Sequence, residues 1–300
     1  MLTDLATKFV KCMQSQNKVV HVALEGGLGN QLFQFANGVA LALKNDALLC
    51  LHWNHPRGTT PRNFDLDFLS LKTNVPYVVE ANKTLILTPF LGKSSVIKCV
   101  IASKRKEFIE NSFNYSPFIF SKKEIYLKGY YQSWRYFENF QSEIREFISM
   151  GLKNHAVKSK FFNGFSNYPN MLHLRFGDYL LKPFSEVNGS LRSTYYAKGL
   201  DLLNIRNQSI LCVTDDVDLA QSKLSKLVPN FTFPSHRDPL MDLLYLSMAT
   251  NIIIANSTFS WWGAYLAIDA SVIAPRDWFT IQVLRTKNIC DLFPESWILL

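Results

Sequence analysis

Apolar residues along this chain recur at two spacings, and the change from one to the other marks the elements. Val19 to Leu24 (VVHVAL) reads as the first strand. It runs into EGGLGN, after which Leu32, Phe35, Ala36, Val39, Ala40 and Leu43 recur at helical spacing. Strand, glycine turn and helix in that order open an α/β domain.

The middle of the chain, from Trp53 to Gly151, mixes aromatic, proline and basic residues. Helical pieces are expected within Phe64–Leu71 and Lys122–Arg145, and a strand in KEIYLKGYYQSW ending at Gly129 or Tyr130. The polar stretch Gly151–Asn170, with Gly164 and Pro169, is expected to connect two domains.

After Asn170 the pattern is regular. MLHLRF, SILCVTDD, NIIIANS and SVIAP read as strands, the last of them closing the series. STYYAKGLDLLNIR, DLAQSKLSKLV, DPLMDLLYLSMAT and TFSWWGAYLAIDA read as helices. Such alternation implies a parallel, doubly wound sheet, whose ligands bind at the carboxyl ends of the strands. The unusual polar residues fall at those ends.

Composition changes this picture little. A chain of 300 residues, 48% hydrophobic and 19% charged, is ordinary globular material with room for two domains. A net charge of +8 favours an anionic partner, a diphosphate or a membrane surface as well as any other. The basic residues are scattered apart from the short run Lys104-Arg105-Lys106, and no nucleic-acid motif is present, so no nucleic-acid partner is expected. Cys12, Cys50, Cys99, Cys212 and Cys290 are widely spaced with no C-x-x-C pair, which reads as thiols in a reducing compartment, not a disulfide framework or zinc site. The segment before Val19 has no long apolar core and is expected to be neither secretory signal nor membrane anchor.

Three constellations carry chemistry. Gly26-Gly27-Leu28-Gly29-Asn30-Gln31 sits at a strand-to-helix turn. It either packs tightly or lets a ligand approach the backbone beside free helix N–H groups. In HLRFGDY, strand alternation puts His173 and Arg175 on one face and Leu172, Leu174 and Phe176 on the other. Arg175 either forks onto phosphate oxygens or pins the loop through Asp178. In Asn256-Ser257-Thr258-Phe259, a buried strand gives way to a helix, so the hydroxyls either cap it or help form an anion seat. The acids of Thr214-Asp215-Asp216-Val217-Asp218 are a fourth feature: they either hold a divalent metal or cap the next helix.

In this order the motifs resemble those of the bacterial α-1,2-fucosyltransferases, family eleven of the glycosyltransferases. GGLGNQLFQFA is similar to the family's N-terminal signature, and KGYYQSWRYF resembles its aromatic G-Y-x-Q-x-x-x-Y-F element. HLRFGDY resembles H-x-R-R-G-D-Y, and CVTDD resembles a strand ending in S-D-D. DLLYLSMATNIIIANSTFSWWGAYL resembles the long C-terminal signature, so the likeness runs from Val20 to Trp278. One departure stands out: Phe176 replaces the second arginine of H-x-R-R.

The resemblance implies an α/β fold of GT-B type, two Rossmann-like domains facing a central cleft. Residues 1–155 are then the acceptor-side domain and 156–300 the GDP-fucose-binding domain. It implies an inverting transfer of L-fucose from GDP-β-L-fucose to the 2-hydroxyl of a β-galactose, with no metal and no cofactor. The partners are GDP-fucose and an oligosaccharide or lipid-linked glycan ending in β-galactose. In that chemistry Arg175 stabilises the leaving diphosphate, helped by donors at Asn256, Ser257, Thr258 and Phe259. Asp178 acts as base or orients Arg175, and His173 orients the donor. Gly27, Gly29, Asn30 and Gln31 close over the donor. Asp242, or else Asp215 or Asp216, reads guanine. The context implied is the bacterial cytoplasm, with peripheral contact at an anionic inner membrane face.

Overall fold

The computed structural model describes residues 18–53, 64–70, 77–81, 107–110, 113–117, 123–159, 168–235, 238–285 and 288–300. The segment before Lys18, the Lys104–Lys106 run, Cys12 and Cys99 lie outside them. The chain divides into two compact units, one of residues 1–148 with 290–292, the other of residues 149–289 with 293–300.

The first unit is built on a parallel sheet. Its strands are β1 (Val19–Leu24), β2 (Leu48–Trp53), β3 (Tyr77–Ala81), β4 (Glu107–Ile109) and β5 (Glu124–Lys128), in the order β3-β2-β1-β5-β4. Helix α1 (Leu28–Asn45) returns the chain from β1 to β2. Its Gly38 lies against Val22 and Leu49, so α1 covers the face that also carries Val20, Leu24 and Leu51. Asp46, in the left-handed conformation, ends α1 by donating its N–H to the Ala42 carbonyl. The short helix Asp67–Ser70 realises part of the helical piece expected there, while Phe64 to Leu66 are coil.

The second unit follows the expected alternation. Helix α2 (Gln141–Lys158) leads to β6 (Asn170–Leu174), α3 (Ser193–Leu202), β7 (Ile210–Thr214), α4 (Val217–Leu224) and β8 (Phe231–Thr232). Then come α5 (Pro239–Leu246), β9 (Asn251–Ile253), α6 (Thr258–Leu266), β10 (Ser271–Ala274) and β11 (Ile298–Leu299). All pairings are parallel, in the order β11-β10-β9-β6-β7-β8. β6, β7 and β9 are almost wholly buried, as a sheet covered on both faces requires. On one face Leu172, Leu174 and Phe176 join Tyr195, Tyr196, Leu200 and Cys212 in one apolar cluster.

Two expectations are corrected. The polar stretch from Gly151 begins inside α2, which runs on to Lys158. Its buried residues Ile144, Ile148, Leu152 and Ala156 fall at helical spacing, and this outweighs the polar composition. SVIAP is not the last strand: β11 pairs with β10 near the C-terminus.

Candidate functional site

Parallel sheets place ligands where the direction of chain progression reverses. In the second unit that point lies between β6 and β9, since the chain moves outward through β7 and β8, then restarts at β9. The segments leaving those two strands carry HLRFGDY and NSTF.

Arg175 is the centre of the β6 segment. Its Nη2 donates to Asp178 Oδ1 at 2.6 Å and its Nη1 meets Asp215 Oδ2 at 2.8 Å. Asp215 Oδ1 accepts from the Phe176 amide at 2.9 Å. Two carboxylates therefore hold one guanidinium, with three of its five N–H donors outside those contacts. The Tyr179 ring lies 5.4 Å beneath its carbon, close enough for a cation–π contact. Arg175 remains about a quarter exposed, so a ligand can reach it. The loop-pinning pair expected from the sequence is present, and Asp215 joins it from 40 residues away.

Gly177 makes this geometry possible. Its φ is +30°, and an added Cβ would lie 2.6 Å from Asp215 Oδ2. Gly177→Ala is expected to cost about 1–3 kcal/mol in stability through strain and crowding. It should also loosen the Arg175–Asp215 contact; urea unfolding and donor affinity measure the two effects.

The segment leaving β9 is fixed from beneath. The Asn256 amide donates to the carbonyls of Asn188, Gly189 and Trp278 at 2.8, 3.3 and 3.2 Å. Tyr179 donates to the Asn256 carbonyl at 3.0 Å, which ties the two segments together. Ser257 occupies the N-cap of α6 yet makes no side-chain capping bond. The first-turn amides of α6 thus have no acceptor within the helix or from the cap. Phe259, in that turn, has its ring centroid 5.6 Å from that of His173.

His173 is 4% exposed, and its Nδ1 is buried without a hydrogen-bond partner. Burial, aided by the Arg175 charge, pushes its pKa down to about 3, so the ring is neutral at pH 7. A lowered folded pKa means the unfolded chain binds the extra proton. The stability this group contributes is complete above about pH 6.5 and is lost as pH falls toward about 3. The slope is about 1.4 kcal/mol per pH unit. His173→Asn should flatten that part of the profile, as urea titrations between pH 7 and 4 would show.

The remaining acids separate by position. Asp216 caps α4 by accepting from the Leu219 amide at 3.0 Å, which is the capping alternative for the D-x-D run. Asp215 is engaged with Arg175 and Phe176, as described. Asp242 lies half-buried in the first turn of α5, and its charge is felt at the buried Cys212 thiol. Phe176 is buried among Leu172 and Leu174, on the face opposite His173 and Arg175, as alternation predicts. Tyr179 went unmarked in the sequence, although it closes HLRFGDY; its bond to a strand end 77 residues on has no local signal.

In the first unit the corresponding reversal lies between β1 and β5. Gly26, at φ +80°, turns the chain out of β1, and a Cβ there would meet Asn30 Nδ2 at 2.6 Å. Gly27 precedes α1, and an added Cβ would meet nothing within 4 Å. Leu28 and Gly29 are buried in its first turn. Gln31 is buried, donating to the Gly26 carbonyl at 2.9 Å and accepting from the Asp65 amide at 2.9 Å. Asn30 accepts from Gln132 at 3.0 Å, and Gln34 donates to the Gly129 carbonyl at 3.1 Å. The turn after β1 is thus stitched to the segment after β5, which carries the aromatic KGYYQSW element.

Comparison with known proteins agrees with these motifs. The model of the family described as Glycosyl transferase family 11 matches residues 2–300. An alpha-1,2-colitosyltransferase of Escherichia coli is 28% identical, covering 93% of this chain and 98% of its own. The O-antigen biosynthesis glycosyltransferase WbnK of the same species is 27% identical, covering 93% and 99%. A galactoside 2-alpha-L-fucosyltransferase of Caenorhabditis elegans is 23% identical, covering 93% and 78%. Among solved structures, the fucosyltransferase NodZ from Bradyrhizobium is similar at 12% identity and a TM-score of 0.48, covering 83% and 93%.

Proposed function

The chain belongs to glycosyl transferase family 11, and from that premise we propose that it transfers L-fucose from GDP-β-L-fucose to the 2-hydroxyl of a β-galactose, with inversion to an α-1,2 linkage. The carrying observation is the group between β6 and β9: Arg175 held by two carboxylates beside the uncapped first turn of α6 and the orphaned Nδ1 of His173.

Such a group suits a diphosphate leaving group. As the sugar–oxygen bond breaks, negative charge grows on the β-phosphate. The outward donors of Arg175 and the amides of Thr258 and Phe259 are fixed beforehand, so little reorganisation is needed. This is the support for transfer without a metal. Neutral His173 can donate or accept a hydrogen bond at the donor without adding charge. The 2.6 Å contact supports an Arg175-orienting role for Asp178. Asp178 acts as base only where the acceptor hydroxyl comes within hydrogen-bond reach of it. Asp242, in the first turn of α5, serves as the carboxylate that accepts from the guanine N1–H and amino group.

The α-1,2 linkage is supported by the names of the colitosyltransferase and the worm enzyme. The colitosyltransferase also favours a second donor, since colitose is L-fucose without its 3-hydroxyl. The O-antigen relative supports a lipid-linked surface glycan as acceptor, and the charge of +8 supports work at an anionic membrane face. No helix among the described residues is long and apolar enough to cross a membrane.

Competition between GDP-fucose and GDP-colitose, using a β-galactoside and its 2-deoxy analogue, tests the proposal. A fucosylated galactoside with an inert 2-deoxy analogue is expected. Transfer to the 2-deoxy analogue would exclude the linkage, and preference for GDP-colitose would move the donor assignment.

A further inference from the structure

The sheet of the first unit has a second face, opposite α1. Parallel register sets His21 of β1 directly beside Cys50 of β2. Cys50 and His52 are two residues apart on one strand, so all three side chains project from that same face. His21 Nδ1 lies 2.8 Å from His52 Nε2. One ligand atom from each of His21, Cys50 and His52 lies within 4.8 Å of the others. His21 and Cys50 are 3% and 2% exposed, and His52 is half-buried. The His21 ring stacks on Tyr126 with centroids 4.0 Å apart and planes 3° apart, which fixes the plane of its imidazole.

We propose that His21, Cys50 and His52 form a binding site for a borderline-soft transition-metal ion of the Zn²⁺ class. Two imidazole nitrogens and a thiolate are the donors such ions select, whereas magnesium and calcium require oxygen. Bonds of about 2.0 Å to nitrogen and 2.3 Å to sulfur put tetrahedral donors about 3.3–3.6 Å apart. The histidine pair would open by roughly half an ångström to admit the ion. His21 would bind through Nδ1 and His52 through Nε2, with the Cys50 proton released to solvent on binding. The half-buried His52 side leaves the fourth position to water. The ion would cross-link β1, which leads into the Gly26–Gly29 turn, to β2. Its role is structural and independent of donor chemistry in the second unit. The cysteine spacing hid this site, because its partner ligands are histidines supplied by strand register.

Titration of the EDTA-dialysed protein with Co²⁺ tests this. A visible spectrum of four-coordinate cobalt with a thiolate-to-cobalt charge-transfer band is expected, and Zn²⁺ should displace it and raise the melting temperature. Cys50→Ala should lose the charge-transfer band, and His52→Gln should weaken cobalt binding by about 10-fold or more. The second variant alters a half-buried residue and decides the matter if Cys50→Ala fails to fold. Absence of the cobalt spectrum in folded wild-type protein, or a spectrum unchanged in His52→Gln, would overturn the site.

Discussion

Arg175→Ala is expected to lower the rate of sugar transfer by about 10²–10³-fold, most of it in kcat. The guanidinium faces charge that exists fully only as the glycosidic bond breaks, so removing it affects the transition state more than the bound donor. Asp178 and Asp215 would then face each other's charge without the cation between them. A moderate fall in stability should accompany the kinetic loss. Arg175→Lys separates the two effects: it restores a positive charge between the carboxylates but cannot fork. Stability should recover in that variant while kcat stays low. Recovery of both would mean that charge alone suffices at this position. Unchanged kcat in Arg175→Ala would remove Arg175 from the reaction.

Trp262→Ala is expected to destabilise the second unit by about 3–5 kcal/mol. Trp262 is fully buried, and its ring meets Trp261 and Tyr265 edge-on at 5.3 and 5.4 Å. Trp261 stacks on Tyr265 at 4.8 Å and touches Trp297 at 5.4 Å. Trp261, Trp262 and Tyr265 belong to α6 itself, the helix whose first turn supplies the proposed donors to the diphosphate. Gly263 lies so close to Leu246 of α5 that a Cβ would sit 2.5 Å from its Cβ, so this region is already tightly packed. The variant should unfold at lower urea and bind GDP-fucose more weakly at temperatures near its transition. An unchanged unfolding midpoint with donor binding lost would instead make Trp262 a wall of the site.

Where hydrophobic period and glycine punctuation agree, the sequence was legible. β1, β7 and β9 lie inside runs read as strands, β6 begins one residue before its run, and each is followed by the helix expected from its spacing. Arg175, Asp178 and Asn256 to Phe259 could be grouped from sequence because all lie just beyond strand ends. β8 and β11, with two residues each, carry no periodic signal and exist through pairing with a neighbour. α2 was obscured because its polar residues fill the stretch expected to be a linker, while its buried positions were few. The Asp215–Arg175 contact and the His21–Cys50–His52 cluster were beyond local reading altogether. Both arise from adjacent parallel strands, where residues far apart in the sequence become neighbours.

The most direct test is to incubate the purified protein with GDP-fucose and a panel of β-galactosides in the presence of EDTA, measuring GDP release and product linkage together. The expected result is GDP released in step with an α-1,2-fucosylated galactoside. Absence of release with every acceptor, with Mg²⁺ or Mn²⁺ restored and with no calorimetric binding of GDP-fucose, would contradict the account.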